Sequence, residues 1–215
     1  MKIAVLGTGD VGRMLAGRLL AGGHDVCLGS RTGESEAAVA WMAEAGDRAS
    51  LGTFEQAAAW ADLALLAVSG AHALAVAGRA AEGLAGKVLI DLTNPLDFSQ
   101  GFPPRLSVCN DDSLGEQVQR ALPEVRVVKT LNTLANPLML DPAALPGDHD
   151  LLMCGDDAEA KQQVSELLGS FGWGQPIDLG DITNARGLEM WLPLWTRLYR
   201  ALGTGMFNLH IQRGA

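Results

Sequence analysis

The first twelve residues constrain the fold of this chain most, because they join an apolar stretch to a glycine-rich turn. Residues 2–6 predict a short buried strand, and residues 14–20 predict an amphipathic helix. Between them lie three glycines with the spacing G-x-G-x-x-G. Such glycines make a tight turn, let a pyrophosphate approach the backbone, and let the helix pack on the strand. The segment therefore predicts a dinucleotide-binding βαβ unit; the alternative is a purely structural turn.

The predicted helix adds to phosphate binding, because its first N–H groups are free and its dipole places positive charge at that end. We therefore expect the whole turn to contact the cofactor. The expected contacts are Gly7, Thr8, Gly9, Asp10, Val11 and Gly12.

The end of the second predicted strand, residues 25–28, indicates which dinucleotide would bind. NAD-selective sites place Asp or Glu near this point, where it accepts from the ribose 2′-hydroxyl. This chain has Gly29 instead, followed by the hydroxyls of Ser30 and Thr32 and the guanidinium of Arg31, which suits a phosphate. The pattern favours NADP(H) over an ordinary surface arginine. No second cation follows Arg31 in this stretch, and two glutamates lie within five positions of it.

Composition excludes several classes of protein. The 215-residue chain has a net charge of −9 and a pI near 4.8, so it lacks the basic face that nucleic-acid binding requires. Its three cysteines have no metal-ligand spacing, which predicts reduced thiols, a cytoplasmic location and no bound metal. The longest apolar stretch, residues 63–77, is interrupted by polar residues, and no signal peptide precedes the first strand. We therefore expect no membrane contact.

Strand and helix patterns alternate along about 180 residues, which predicts an α/β fold. We expect a Rossmann-type doubly wound, mostly parallel sheet in residues 1–180 and a small helical appendage in residues 181–215, helical as far as residue 211. Residues 94–105 contain three prolines and predict a long loop.

Ligands of open α/β sheets bind beyond the carboxyl ends of the strands. The predicted loops at that edge are small, rich in amides and nearly free of charge, with no catalytic triad, paired carboxylates or metal cluster. Hydride transfer between two ring cofactors needs positioning and water exclusion rather than a strong acid or base. We therefore predict no catalytic side chain. The expected cofactor contacts from these loops are Val68, Ser69, Gly70, His72, Asn94, Pro95 and Asn132.

Several of these residues have a structural interpretation as well. His72 either contacts the cofactor or only begins a helix, and Asn94 and Asn132 either hold the nicotinamide carboxamide or only form turns. Lys129, late in a predicted strand, is interpreted as structural or electrostatic rather than as a base.

The last part of the chain carries an aromatic stripe. Trp191, Trp195 and Tyr199 follow at i, i+4 and i+8, so one helical face carries all three, and Pro193 should kink or restart that helix. The stripe predicts core packing or a homodimer interface; a pocket for a planar ligand is the alternative.

A resemblance adds to this reading. It rests on the glycine turn, on Gly29-Ser30-Arg31, on His72, on Cys154-Gly155-Asp156-Asp157 and on Asp178-Leu179-Gly180-Asp181. On these residues the chain resembles, over nearly its whole length, the NADPH-dependent deazaflavin (coenzyme factor 420) oxidoreductases.

That resemblance implies a role for each segment. Residues 8–11 would bind the pyrophosphate, Ser30 and Arg31 the 2′-phosphate, and residues 69–72 would flank the nicotinamide ribose. A deazaflavin co-substrate would stack on the nicotinamide, walled partly by the terminal helices. The chain departs from the family at Ser69-Gly70, where Pro-Trp is common, and at Ser35, where a further cation is common.

The sequence thus predicts an enzyme that transfers a hydride between NADP(H) and a small-molecule redox partner, a deazaflavin or flavin-like acceptor. Two alternatives remain open at this point. One is a non-catalytic NADP(H)-binding redox sensor, and the other is a reductase of a small imine or carbonyl substrate.

Overall fold

The computed structural model of the protein describes residues 1–212 and 214. Within them, an eight-stranded sheet forms the centre of the molecule, and a separate two-stranded hairpin lies beside it. The strands are β1 (Lys2–Leu6), β2 (Asp25–Ser30), β3 (Ala49–Thr53), β4 (Leu63–Leu66), β5 (Val88–Asp91), β6 (Leu96–Asp97), β7 (Arg105–Leu106), β8 (Arg126–Thr130), β9 (Leu152–Cys154) and β10 (Ile177–Asp178).

The order of strands in the sheet is β10-β9-β8-β5-β4-β1-β2-β3, and only the β8–β9 pairing is antiparallel. The chain winds outward from β1 in one direction to β3, then crosses back to β4 and continues in the other direction. The topological switch point therefore lies between β1 and β4. The predicted Rossmann-type, doubly wound, mostly parallel sheet is confirmed.

Helices cover both faces of the sheet, since alternate residues of β1 belong to two different cores. Ile3 and Val5 pack into one core and Ala4 and Leu6 into the other, and all four are fully buried. The helices are α1 (Asp10–Ala21), α2 (Glu36–Ala45), α3 (Phe54–Trp60), α4 (Gly70–Leu84), α5 (Leu114–Ala121), α6 (Asn136–Leu140), α7 (Ala158–Gly169), α8 (Ala185–Met190) and α9 (Leu192–Leu202), with short 3-10 helices at Pro142–Ala144 and Ile182–Asn184.

Three local predictions were wrong or incomplete. Residues 94–105 are not a plain loop, because they contain β6 and lead into β7, the two strands of the small hairpin. Helix α6 was not predicted, although Pro137 in its first turn is a typical start signal. The final helix stops well before residue 211, because Gly203 takes a left-handed conformation with φ of 68° and caps α9 at Leu202.

Helices α8 and α9 follow the last strand, with Pro193 in the first turn of α9, so the chain restarts its helix there as predicted. Ala185 and Leu188 of α8 are buried in the same core as Leu89 of β5. The division into residues 1–180 and 181–215 stays a prediction. Among the described residues, no helix has both the length and the apolar character needed to cross a bilayer.

Candidate functional site

The glycine turn has the geometry that its spacing predicts. Gly7 has a φ of +135°, and a Cβ there would lie 2.3 Å from the carbonyl oxygen of Ala67. A Cβ on Gly12 would lie 2.1 Å from the carbonyl oxygen of Gly7. By contrast, a Cβ on Gly9 would meet no protein atom within 4 Å. Gly7 and Gly12 are therefore required by the fold, whereas Gly9 leaves open space outside it.

The start of α1 closes this turn and is braced by a residue that was not predicted. Arg13 donates to the carbonyl oxygen of Thr8 at 2.6 Å and forms an ion pair with Asp10, also at 2.6 Å. This pairing offsets the negative charge of Asp10, which would otherwise repel an anion at the helix N-terminus. The backbone N–H groups of the first turn thus remain the main electrostatic feature of the site.

A cavity of about 450 Å³ extends from the turn toward the end of β2. Ser30 is buried there, and its hydroxyl accepts a hydrogen bond from the N–H of Gly33 at 2.9 Å, while Arg31 and Thr32 are exposed. We call this the adenosine-side cavity, because the sequence predicts that the adenosine half of the cofactor binds here. Its lining consists of Gly7, Thr8, Gly9, Ser30, Arg31, Thr32, Ser35, Phe54, Ala67, Val68, Ser69, His72 and Val76.

Ser35 and Phe54 belong to this cavity although they were not among the predicted site residues. Ser35 caps α2 by accepting from the N–H of Ala38 at 3.2 Å, and its hydroxyl lies 3.3 Å from that of Thr8. The position of Ser35 in a capping role was readable from the sequence, but its contact with Thr8 was not.

A second cavity, of about 490 Å³, lies on the other side of the turn, at the carboxyl ends of β4, β5 and β8. It shares Gly9, Ala67, Val68 and Ser69 with the first cavity, so the two form one cleft over the topological switch point. We call it the acceptor-side cavity, because the resemblance implies that the second redox partner binds on this side, next to the terminal helices. Its other lining residues are Asp10, Val11, Gly70, Leu92, Thr93, Asn94, Leu96, Phe98, Asn132, Leu134, Asn136, Met139, Leu192 and Trp195.

Two predicted residues line neither cavity. Gly12 lies beneath the turn, and Pro95 uses its carbonyl oxygen to accept from Ser107. The other fourteen predicted residues line one cavity or both, and whether they contact a cofactor stays a prediction.

Asn94 and Asn132 form a reciprocal pair across the acceptor-side cavity. Asn94 donates to the carbonyl oxygen of Asn132 at 2.8 Å, and Asn132 donates to Oδ1 of Asn94 at 3.0 Å and to the carbonyl oxygen of Leu188 at 3.3 Å. Both amide donors of Asn132 are therefore used. Its Oδ1 is buried and accepts no hydrogen bond from residues 1–212 or 214.

Lys129 lies behind this pair and is completely buried. Its ammonium group contacts Asp91 Oδ2 and Glu189 Oε1, both at 2.9 Å, and donates to the carbonyl oxygen of Thr93. Burial alone would lower the pKa of Lys129, but the two carboxylates raise it overall. With three donors occupied and its charge held, Lys129 has the geometry of a structural residue rather than of a base, in line with its interpretation from the sequence.

Glu189 was not predicted from the sequence as a site residue. It lies on α8 and connects that helix with β8 and with the start of α5. Besides Lys129 on β8, it accepts from the N–H groups of Leu114 and Gly115 at the start of α5, at 2.8 and 2.9 Å. Glu189 therefore fixes α8 against the sheet directly behind the loop that carries Asn132. No local pattern in the sequence signals this contact, because its partners lie 60 to 75 residues away.

The aromatic stripe divides between two environments. Trp195 lines the acceptor-side cavity and stacks on Tyr199 with 5.7 Å between ring centroids, and Phe207 packs on Trp195 at 5.3 Å. Tyr199 itself is about half exposed and does not line the cavity. The Trp195 Nε1–H is buried and has no acceptor in the part of the chain that the structure describes. Trp195 therefore fits the alternative of a planar-ligand pocket.

A doubly wound sheet with an open glycine turn at its switch point, leading into a cleft poor in charge, defines a dinucleotide-dependent oxidoreductase. Residues 2–95 match the family model described as "NADP oxidoreductase coenzyme F420-dependent". The F420-dependent NADP reductase of Methanothermobacter marburgensis is 37% identical over 207 residues, which cover 92% of each chain. This chain belongs to the family of F420-dependent NADP oxidoreductases. The predicted family and the predicted class, an NADP-dependent oxidoreductase, are confirmed.

Solved structures agree with this assignment. A protein from Arthrobacter sp. FB24, assigned as an F420-dependent NADP reductase, is 50% identical and superposes with a TM-score of 0.94, covering 99% of this chain and all of that one. NADP-bound pyrroline carboxylate reductase of Plasmodium falciparum has a TM-score of 0.60 at 13% identity, covering 94% of this chain and 66% of its own. The second likeness shows the fold alone.

Proposed function

We propose that the protein transfers a hydride between NADP(H) and the deazaflavin coenzyme F420 within the cleft formed by its two cavities. The observation that carries this proposal is the continuity of the cleft over Gly9, with phosphate-binding features on one side and a ring-sized cavity on the other. The volume of the acceptor-side cavity, about 490 Å³, falls within the usual range of ligand pockets.

The residues of the adenosine-side cavity fit NADP(H). The open space above Gly9 and the first turn of α1 would take the pyrophosphate, and Ser30, Arg31 and Thr32 would take the 2′-phosphate. The family resemblance implies that residues 69–72 flank the nicotinamide ribose. Ser69 lines both cavities, whereas His72 lines only this one and would contact a ribose or the pyrophosphate from this side. Because Ser30 already accepts from Gly33, its hydroxyl proton is free to be donated to a phosphate oxygen.

The acceptor-side cavity fits two stacked rings better than a substrate that needs proton transfer. When bound, the nicotinamide and the deazaflavin supply the carbon atoms between which the hydride moves. Among the described residues that line this cavity, Asp10 alone is ionisable, and Arg13 pairs with it. Leu92, Met139 and Leu192 give apolar walls that exclude water.

Two residues that line this cavity each carry a buried polar atom without a partner among the described residues. An unpaired buried donor or acceptor costs about 1–3 kcal/mol. The Asn132 Oδ1 is such an acceptor and the Trp195 Nε1–H is such a donor, both without partners within the described residues. A ring edge that carries adjacent carbonyl and N–H groups, as a carboxamide or a pyrimidinedione does, offers partners of both kinds. We assign the nicotinamide carboxamide to Asn132 and the acceptor ring to Trp195.

The test is a mixture of purified protein, NADPH and oxidised F420, followed by absorbance, with FMN and FAD as parallel acceptors. Simultaneous loss of the NADPH and F420 bands, with little reaction of the free flavins, is the expected result. Binding of NADPH without reduction of F420 would overturn the acceptor assignment. It would return the protein to the two alternatives raised by its sequence, a redox sensor or a reductase of another small molecule, which the family membership does not favour.

A homodimer and a cytoplasmic location belong to the same proposal. Leu194, Tyr199 and Leu202 on α9 and Phe98 and Phe102 near the hairpin are large apolar residues with exposed side chains, which supports pairing of two copies. The three cysteines are free thiols, which suits a reducing compartment. Light scattering of the wild type and of Leu202→Glu would test the dimer, since a charge at the interface should give monomers.

A further inference from the structure

A cation from a different element, Arg79, lies next to the backbone of Arg31. Arg79 lies on α4, two turns beyond His72 and one turn beyond Val76, both of which line the adenosine-side cavity. Its Nη2 donates to the carbonyl oxygen of Arg31 at 3.1 Å. Its guanidinium also lies 5.2 Å from the ring centre of Phe54, another residue of that cavity.

Glu55 holds the Arg79 guanidinium in place. Arg79 donates from Nε to Oε1 at 2.6 Å and from Nη2 to Oε2 at 3.0 Å, a two-point contact on the first turn of α3. The hydrogen bonds from Arg79 lower the pKa of Glu55 to about 2, so this pair stays ionised at any pH used for an assay. Arg79 is therefore ordered beside Arg31 before a ligand arrives.

Arg79 retains capacity for another partner. A guanidinium has five N–H donors, and the contacts with Glu55 and Arg31 use Nε and Nη2. Both donors of Nη1 lack an acceptor among residues 1–212 and 214. The two N–H groups of Nη1 diverge, so this nitrogen can donate a single charge-assisted hydrogen bond to a phosphate oxygen.

The charges around Arg31 indicate that a phosphate bound there would need a second cation. A phosphate monoester carries a charge of about −1.5 to −2 at pH 7, and Arg31 provides a single positive charge. Glu34 and Glu36 are exposed close by in sequence, and Glu55 adds a third carboxylate. Arg79 offsets the charge of Glu55, so Arg31 faces two unpaired carboxylates instead of three and the repulsion of a 2′-phosphate is weaker.

We propose that Arg79 is the second cation of the 2′-phosphate site and determines, together with Arg31, the preference for NADP(H) over NAD(H). This inference rests on the proposed function, because it takes the adenosine-side cavity as the NADP(H) site. Glu55 is a positioning residue that orients Arg79, and Phe54 supports the guanidinium from its ring face.

The experiment measures the dissociation constants of NADPH and NADH by fluorescence titration for the wild type, Arg79→Gln and Arg79→Lys. Arg120→Gln is the matched control, because Arg120 makes the same exposed two-point contact with a carboxylate, that of Asp112, away from both cavities. We expect Arg79→Gln to weaken NADPH about tenfold while NADH changes less than about twofold. Arg79→Lys keeps the charge and should lose less than Arg79→Gln. Arg120→Gln should leave both constants unchanged.

Three outcomes would overturn the inference. These are an unchanged NADPH constant in Arg79→Gln, an equal loss for NADPH and NADH, or an Arg79→Lys variant as weak as Arg79→Gln. The last two would mean that Arg79 only shapes the loop. A wild type that binds neither nucleotide, or that binds NADH as well as NADPH, would contradict the proposed function itself. Failure of the inference on Arg79 and failure of the proposed function therefore give different results. Thermal unfolding of each variant checks that the fold is intact.

Discussion

The two halves of the cleft are built in different ways. The adenosine-side cavity is formed mainly by three short segments, residues 7–9, 30–35 and 67–76, each of which begins at the end of a strand or directly after it. The acceptor-side cavity adds residues from β5 onward through α9, as far along the chain as Trp195. The residues of the first half belong to short local sequence motifs. The second half forms only when segments that are distant in the sequence pack together.

The halves also differ in how they hold a ligand. Backbone N–H groups, hydroxyls and the guanidinium of Arg31 line the first half, which suits phosphates that are fixed by charge. Apolar side chains, three amides and an indole line the second, which suits rings that are fixed by stacking and by a few hydrogen bonds. Variants in the two halves should therefore separate nucleotide affinity from reaction with the acceptor.

The largest effect is expected from Gly9→Val, since Gly9 lines both cavities. A side chain there meets no protein atom, and the φ of −69° is open to any residue, so the fold should tolerate it. The added carbons would fill the space needed by the pyrophosphate, and binding of both NADPH and NADH should be lost. Titration with each nucleotide measures this, and thermal unfolding shows that the fold survives.

Gly12→Val makes the contrasting control. Its side chain would collide with the backbone of Gly7, so it should lower the thermal stability directly. Full NADPH affinity in a folded Gly9→Val protein would show that the pyrophosphate binds elsewhere.

Trp195→Ala should weaken binding of the acceptor and leave binding of NADPH nearly unchanged. Losing a buried aromatic surface costs about 1.5–3 kcal/mol, which corresponds to about a 10- to 100-fold rise in KM for F420. The dissociation constant of NADPH should change little, because Trp195 does not line the adenosine-side cavity. Tyr199→Ala, from the same stack but outside the cleft, is the control. An equal loss of NADPH affinity would mean that the two halves are not separable.

Arg31→Ala, in contrast, should weaken binding of the nucleotide, because it removes a contact with the 2′-phosphate. Removal of a charge-assisted contact costs about 1.5–3 kcal/mol, so NADPH should weaken about 10- to 100-fold while NADH hardly changes. Parallel titrations with the two nucleotides measure the selectivity. Equal losses for both would refute the assignment of Arg31 to the 2′-phosphate.

His72→Ala should give the smallest effect. His72 is exposed at the first turn of α4, and one neutral hydrogen bond to the ribose contributes about 0.5–1.5 kcal/mol. We expect a two- to tenfold loss, roughly the same for NADPH and NADH, measured as above. No change at all would favour the interpretation of His72 as a residue that merely begins the helix.

The same contrast explains how much the sequence could predict. The strand, turn and helix at residues 2–21, and the hydroxyl and guanidinium groups after β2, depend on spacing within a few residues, and the structure places them as expected. The amides of Asn94 and Asn132 were identified because they follow strands, but their mutual hydrogen bonds, 38 residues apart, could not be foreseen.

Other contacts of the site could not be predicted from local sequence patterns. Glu189 meets Lys129 from 60 residues away, and Arg79 meets the Arg31 carbonyl from 48 residues away. Their side chains are ordinary helix-surface residues until the fold brings them to a partner. Local sequence patterns predict groups whose role depends on neighbouring residues in the chain. They do not predict groups whose role depends on tertiary contacts.

The position of Phe207 against Trp195 has a consequence for the order in which the site can form during translation. After α9 the chain returns across the molecule, and Asp150 donates from its N–H to the carbonyl oxygen of Leu209 at 2.8 Å. A ribosome releases residues 7–76, and with them the nucleotide half of the cleft, long before residues 192–209. The wall of the acceptor-side cavity is therefore the last part of the cleft to be synthesised.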